Sequence, residues 1–121
     1  MTEMVAVLVV EDEALILLDI VVQLEAEGFK VYEATNADAA IELLITNLDI
    51  RLIFTDIDMP GSMDGLKLAA AVRNRWPPVK IIVTSGARRP PITDMPEGSV
   101  FFDKPYNHLA VLASVRSLLT A

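Results

Sequence analysis

The stretch Arg51-Leu52-Ile53-Phe54-Thr55-Asp56-Ile57-Asp58-Met59-Pro60-Gly61 decides the fold. Residues 52–55 suit a buried strand, and they run straight into an acid followed by a Met-Pro-Gly turn. A carboxylate at the carboxyl end of a core strand sits where parallel α/β sheets put their chemistry. Three other segments end in the same way. Val7-Leu8-Val9-Val10 leads into Glu11-Asp12, Ile81-Ile82-Val83 into Thr84-Ser85-Gly86, and Val100-Phe101-Phe102 into Asp103-Lys104-Pro105. An acid pair, an acid, a hydroxyl and a lysine would therefore share one rim of one sheet.

Working outward, short β-branched runs alternate with helical patterns five times over. Strands are expected over residues 5–10, 30–34, 52–55, 80–83 and 100–102, the second being polar enough for a sheet edge. Helices are expected over residues 14–27, closed by Gly28, and 37–48, capped by Asn36. A third covers residues 65–76, stopped by Pro77-Pro78, and a last one runs from a cap at Asn107 to about residue 119. Between residues 86 and 99, Pro90, Pro91, Pro96 and Gly98 force the remaining helix to be short or irregular. The alternation predicts right-handed crossovers and a three-layer α/β/α sandwich, flavodoxin-like, with a five-stranded parallel sheet of order 2-1-3-4-5.

At 121 residues the chain is expected to form one domain, with nothing left over for a second. It is 53% hydrophobic, so most elements should be covered on both faces. A formal charge of -7 argues against nucleic-acid binding, which needs a positive field. The absence of cysteine excludes disulfide and thiolate chemistry. The apolar stretch over residues 14–24 is interrupted by Asp19 and falls short of the ~20 residues a membrane span requires. A cytoplasmic protein is the expectation, with no membrane partner.

In a sheet of this order the crevice opens between strands one and three, where the winding reverses. Glu11 and Asp12 are thereby brought beside Asp56. Carboxylates this close repel by about 4 kcal/mol per pair at roughly 4 Å and an effective dielectric of about 20. A hard divalent cation relieves the repulsion, and Mg²⁺ suits a few carboxylates because it keeps its waters; Mn²⁺ is the alternative ion. Thr84 and Lys104 lie on the other side of Asp56, where a hydroxyl and an ammonium are poor metal ligands but good partners for phosphoryl oxygens. Three carboxylates, one lysine and Mg²⁺ sum to zero charge, so a dianionic phosphoryl group can enter. The simplest chemistry is attack of Asp56 on phosphorus.

These residues, in this order and at these strand ends, make the whole chain resemble the receiver domains of two-component response regulators. The resemblance implies that Glu11, Asp12, Asp56 and the backbone carbonyl of Asp58 hold Mg²⁺, and that Asp56 accepts the phosphoryl group. Thr84 would be the switch hydroxyl and Phe101 the aromatic switch. Lys104 precedes Pro105, a pair joined in the family through a cis peptide bond. The phosphoryl donor would be a sensor histidine kinase or a phosphotransfer protein. Output would pass through the face made by the fourth helix, fifth strand and fifth helix, in a monomer or a phosphorylation-linked dimer. Such a domain is not a conventional enzyme and catalyses only its own phosphorylation and dephosphorylation.

Some features depart from the common pattern. The acid pair is Glu-Asp rather than Asp-Asp, the loop after Asp56 is one residue longer than usual, and Asp58 adds a second acid there. Phe101 lacks a tyrosine's hydroxyl, so its switch would work by packing alone. Plainer readings compete residue by residue: Asp12 as a cap of the first helix, Thr84 as a turn hydroxyl, and Arg88 and Arg89 as solvated charges. The first helix is apolar nearly all round; one stripe must be core, and the rest either packs under loops or docks a kinase. Two other functions fit parts of the pattern. Asp56-Ile57-Asp58 resembles the Asp-x-Asp of haloacid-dehalogenase-type phosphatases, but that motif lies on a first strand. A pseudo-receiver would bind a partner without phosphorylation, and the intact residue set argues against it.

Overall fold

The five apolar runs become five parallel strands. The computed structural model describes residues 5–59, 61, 63–86 and 90–120. Along these the elements run β1 (Ala6–Val10), α1 (Ala14–Ala26), β2 (Lys30–Ala34), α2 (Ala37–Thr46), β3 (Ile50–Asp56), α3 (Gly65–Arg75), β4 (Lys80–Ser85), β5 (Val100–Asp103) and α4 (His108–Thr120). The sheet order is β2-β1-β3-β4-β5, every neighbouring pair parallel. The partly polar β2 takes one edge, as its sequence requires. Among the described residues no helix is long and apolar enough to cross a membrane.

Strand alternation divides the core into two clusters, one on each face of the sheet. Leu8, Val10, Ile53, Ile81 and Val83 pack on one side with Ala40 and Leu44 of α2 and Leu68 and Val72 of α3. Val7, Val9, Leu52, Phe54 and Ile82 pack on the other with Leu17, Ile20 and Leu24 of α1 and Val111 and Val115 of α4. Only the stripe Leu17, Ile20, Val21 and Leu24 of α1 is buried; Leu15, Leu18 and Val22 lie on its exposed side.

The helix ends follow local chemistry. Asn36 Oδ1 accepts the Ala39 N–H at 2.8 Å, Asp64 Oδ1 accepts that of Lys67 at 2.9 Å, and Asn107 Oδ1 accepts that of Ala110 at 3.1 Å. Asp12 does not cap α1. The cap residue is Glu13, without a side-chain bond, and Glu11 Oε2 instead accepts the Glu13 N–H at 3.1 Å.

Five helices were expected, and the described residues hold four α-helices. Where the other was anticipated there is a single 3-10 turn, Ile92–Asp94. Pro90, Pro91 and Pro96 remove three of the N–H donors a helix would need, and Gly98 takes φ 80°, outside helical geometry. The turn after it is fastened sideways: Arg73 Nη2 on α3 donates to the Glu97 carbonyl at 2.8 Å. The face expected to present a fourth helix beside β5 therefore presents this turn. Pro60, Arg88 and Arg89 lie outside the described residues.

Candidate functional site

The period of two along a strand selects the site residues. Glu11 continues the face of Val7 and Val9, Asp56 that of Leu52 and Phe54, Thr84 that of Ile82, and Lys104 that of Phe102. All four thus rise from the face packed against α1 and α4. Registry adds to this: Asp56 and Thr84 are Cα partners across β3 and β4.

Glu11 is 1% exposed and Asp56 2% exposed, while Asp12 reaches solvent. One oxygen from each of the three comes within 4.8 Å of the others. Lys104 Nζ lies 2.7 Å from Glu11 Oε1, 3.1 Å from Asp56 Oδ2 and 3.8 Å from Glu13 Oε1. The contact with Glu11 is an ion pair by distance, off the angle of a directed hydrogen bond. Burial pushes the carboxyls of both Glu11 and Asp56 above the usual range, and the neighbouring lysine only partly offsets it. Burial pulls Lys104 the other way, but its contacts with Glu11 and Asp56 prevail and hold the ammonium above the ordinary lysine value.

Backbone contacts fix the carboxyl end of β3. The Ile57 N–H donates to the Thr84 carbonyl at 2.8 Å, and the Asp58 N–H to Asp56 Oδ1 at 3.2 Å. Gly65 opens α3 directly against this strand end. A Cβ there would sit 1.9 Å from the Asp56 carbonyl oxygen, so no side chain fits. Thr84 Oγ1 is buried with no hydrogen-bond partner among the described residues. Phe101 is half-buried against the cluster containing Ile81, Val83 and Met95, one strand from Val83. The Lys104–Pro105 peptide is cis.

A groove of about 620 Å³ opens beside Lys104, walled by Glu13, Leu15, Ile16 and Asp19 on one side and by Pro105, Tyr106 and His108 on the other. Tyr106 stands edge-on to Phe54, with ring centroids 5.5 Å apart, and burial pushes its phenol up to about 12. His108 Nε2 meets Asp19 Oδ2 at 2.5 Å, so the lone histidine pins α4 to α1. Glu13 and Ser85 were not singled out from sequence. Glu13 lacks an informative neighbour, and Ser85 reads as an ordinary strand-end residue.

The chemistry of the donor set fits a hard divalent cation: three carboxylates, two of them buried, converge on one point with an ammonium close by. Beside them an unpartnered hydroxyl and a lysine face the same carboxylate.

The sequence model of the response regulator receiver domain matches residues 7–97 of the chain. Transcriptional regulatory protein FixJ of Azorhizobium caulinodans is 31% identical over 122 residues, covering 98% of this chain and 57% of FixJ. Transcriptional regulatory protein SrrA of Staphylococcus aureus is 29% identical over 115 residues, covering 93% of the chain and 47% of SrrA. The chain thus spans about half the length of these curated relatives. A crystal structure of a response regulator receiver protein from Sinorhizobium medicae matches with a TM-score of 0.89 at 30% identity, covering 98% of this chain and 97% of that one. The chain belongs to the response regulator receiver domains of two-component signalling.

Proposed function

We propose that the domain accepts a phosphoryl group on Asp56 from the phosphohistidine of a sensor histidine kinase or phosphotransfer protein, and passes the signal on by protein–protein contact. The observation that carries this reading is the pairing of Asp56 with two further carboxylates on one side and with Lys104 and the unpartnered Thr84 hydroxyl on the other. Glu11, Asp12, Asp56 and the Asp58 carbonyl are the residues that would hold Mg²⁺, or Mn²⁺ in its place. The ion supplies charge neutralisation at the phosphoryl oxygens.

An Asp56 oxygen attacks phosphorus as the donor's P–N bond breaks. The electron pair leaves on the donor imidazole, which takes up a proton. Lys104 then trades a carboxylate oxygen for a phosphoryl oxygen, and Thr84 finds the acceptor its buried hydroxyl lacks, relieving a cost of about 1–3 kcal/mol. Movement of Thr84 shifts β4 against β5, where Val83 pairs with Phe101, and β5 with the Ile92–Asp94 turn and α4 carries the change to the surface. The exposed Leu15, Leu18 and Val22 of α1, next to the groove at Lys104, form the apolar face for the donor. The domain catalyses only its own phosphorylation and dephosphorylation, and the acidity of this domain argues against nucleic acid as its direct partner.

Incubation with a phosphohistidine-bearing donor and Mg²⁺, followed by peptide mapping, tests this. Label should appear on the peptide carrying Asp56; label elsewhere would place the acceptor at another residue.

A further inference from the structure

We propose that Ser85 holds the Asp58 carboxylate out of the acidic cluster, and so sets the charge an incoming phosphoryl group meets. The proposal rests on the reading of Asp56 as acceptor. The Asp58 N–H donates to Asp56 Oδ1 at 3.2 Å, which fixes the Asp58 backbone beside that carboxylate. The Asp58 side chain is exposed, on a residue whose backbone touches that carboxylate. Yet the oxygens that converge within 4.8 Å belong to Glu11, Asp12 and Asp56, and Asp58 is not among them.

The reason lies on β4. Ser85 Oγ donates to Asp58 Oδ2 at 2.6 Å, the short length of a hydroxyl on an ionised carboxylate. Ser85 is 2% exposed, and its carbonyl accepts the Lys104 N–H at 3.0 Å, so the hydroxyl is mounted on the sheet itself. Successive strand residues point to opposite faces. Thr84 therefore turns to the face of Asp56, while Ser85 turns to the other and takes the Asp58 carboxylate with it.

The charge balance shows what this does. Three carboxylates, Lys104 and a divalent cation come to zero. A fourth carboxylate in the cluster would grip the cation harder while repelling a dianionic phosphoryl group. Loss of the Ser85 hydroxyl should thus move metal affinity and phosphorylation in opposite directions, which simple loosening of the site would not do.

The test measures Mn²⁺ binding by the electron paramagnetic resonance of the free ion, and labelling by acetyl phosphate at saturating Mn²⁺. Ser85→Ala should bind Mn²⁺ about fivefold tighter and label about fivefold more slowly, a change that one added charge at an effective dielectric of about 20 readily supplies. In an Asp58→Asn background the same substitution should change neither. Weaker or unchanged Mn²⁺ binding, unchanged or faster labelling, or a shift that persists with Asp58→Asn overturns the proposal. Failure of the wild type to label would instead remove the acceptor reading, and the Mn²⁺ measurements would still decide where Ser85 holds Asp58.

Discussion

Lys104 Nζ stands closer to Glu11 Oε1, at 2.7 Å, than to Asp56 Oδ2, at 3.1 Å. The lysine that faces Asp56 is thus also the counter-ion of the glutamate on β1. A divalent cation held by Glu11, Asp12 and Asp56 would compete with this ammonium for the Glu11 and Asp56 carboxylates.

Removing the lysine should therefore destabilise the fold and favour the cation together. Lys104→Ala leaves two buried carboxylates without their partner, a loss on the order of 3 kcal/mol. Its Tm without divalent ion should fall well below wild type, and Mg²⁺ should restore more stability to the variant than to the wild type. Melting curves with and without Mg²⁺ measure this; equal Mg²⁺ effects in the two proteins would mean the cation does not replace Lys104.

The pH dependence of stability follows from the raised carboxyls of Glu11 and Asp56. A carboxyl held above its ordinary value binds protons more tightly in the folded than in the unfolded chain. Its contribution is complete below the unfolded carboxyl range and is lost as pH rises through the raised folded value. Asp56→Asn removes one such group while Glu11 keeps Lys104 as its partner. Without divalent ions, the variant should melt a few °C above wild type at neutral pH, as a gain of about 1 kcal/mol produces. That gap should close as pH falls through the carboxylate range. A gap that widens on acidification would reverse the sign assigned here.

Gly65 offers a steric test of the same strand end. Gly65→Ala places a methyl 1.9 Å from the Asp56 carbonyl oxygen, so the backbone must move. Overpacking of this kind costs about 1–3 kcal/mol, and the displaced Asp56 should also accept label more slowly. Denaturant unfolding and labelling by acetyl phosphate read the two effects; wild-type values for both would show that α3 gives way instead.

Much of this was legible in the sequence. The alternation of strand and helix gave the strand order, and the apolar runs ending in Glu11, Asp56, Thr84 and Lys104 marked strand ends that the sheet brings to one rim. The segment over residues 86–99 was legible only as a disruption: prolines state that a helix fails, not what replaces it. The Arg73 clasp on the Glu97 carbonyl joins positions far apart in the chain and leaves no local pattern. The same holds for the Ser85 hydroxyl on Asp58, and for the Glu11 carboxylate on the Glu13 N–H.

The exposed side of α1 separates donor docking from chemistry. Leu18 is 61% exposed, so Leu18→Glu should leave the fold and labelling by acetyl phosphate intact. Transfer from a phosphohistidine-bearing protein should drop about tenfold, the cost of losing one central apolar contact. An equal loss with both donors would place Leu18 in the chemistry, and no loss with either would move the donor to another face.

Intact mass after incubation with acetyl phosphate tests the central claim most directly. Wild-type protein with Mg²⁺ should gain one phosphoryl group, and neither the chelator-treated protein nor Asp56→Asn should gain any. An unchanged wild-type mass with Mg²⁺, or a wild-type gain in Asp56→Asn, would contradict the assignment of Asp56 as a metal-dependent phosphoryl acceptor.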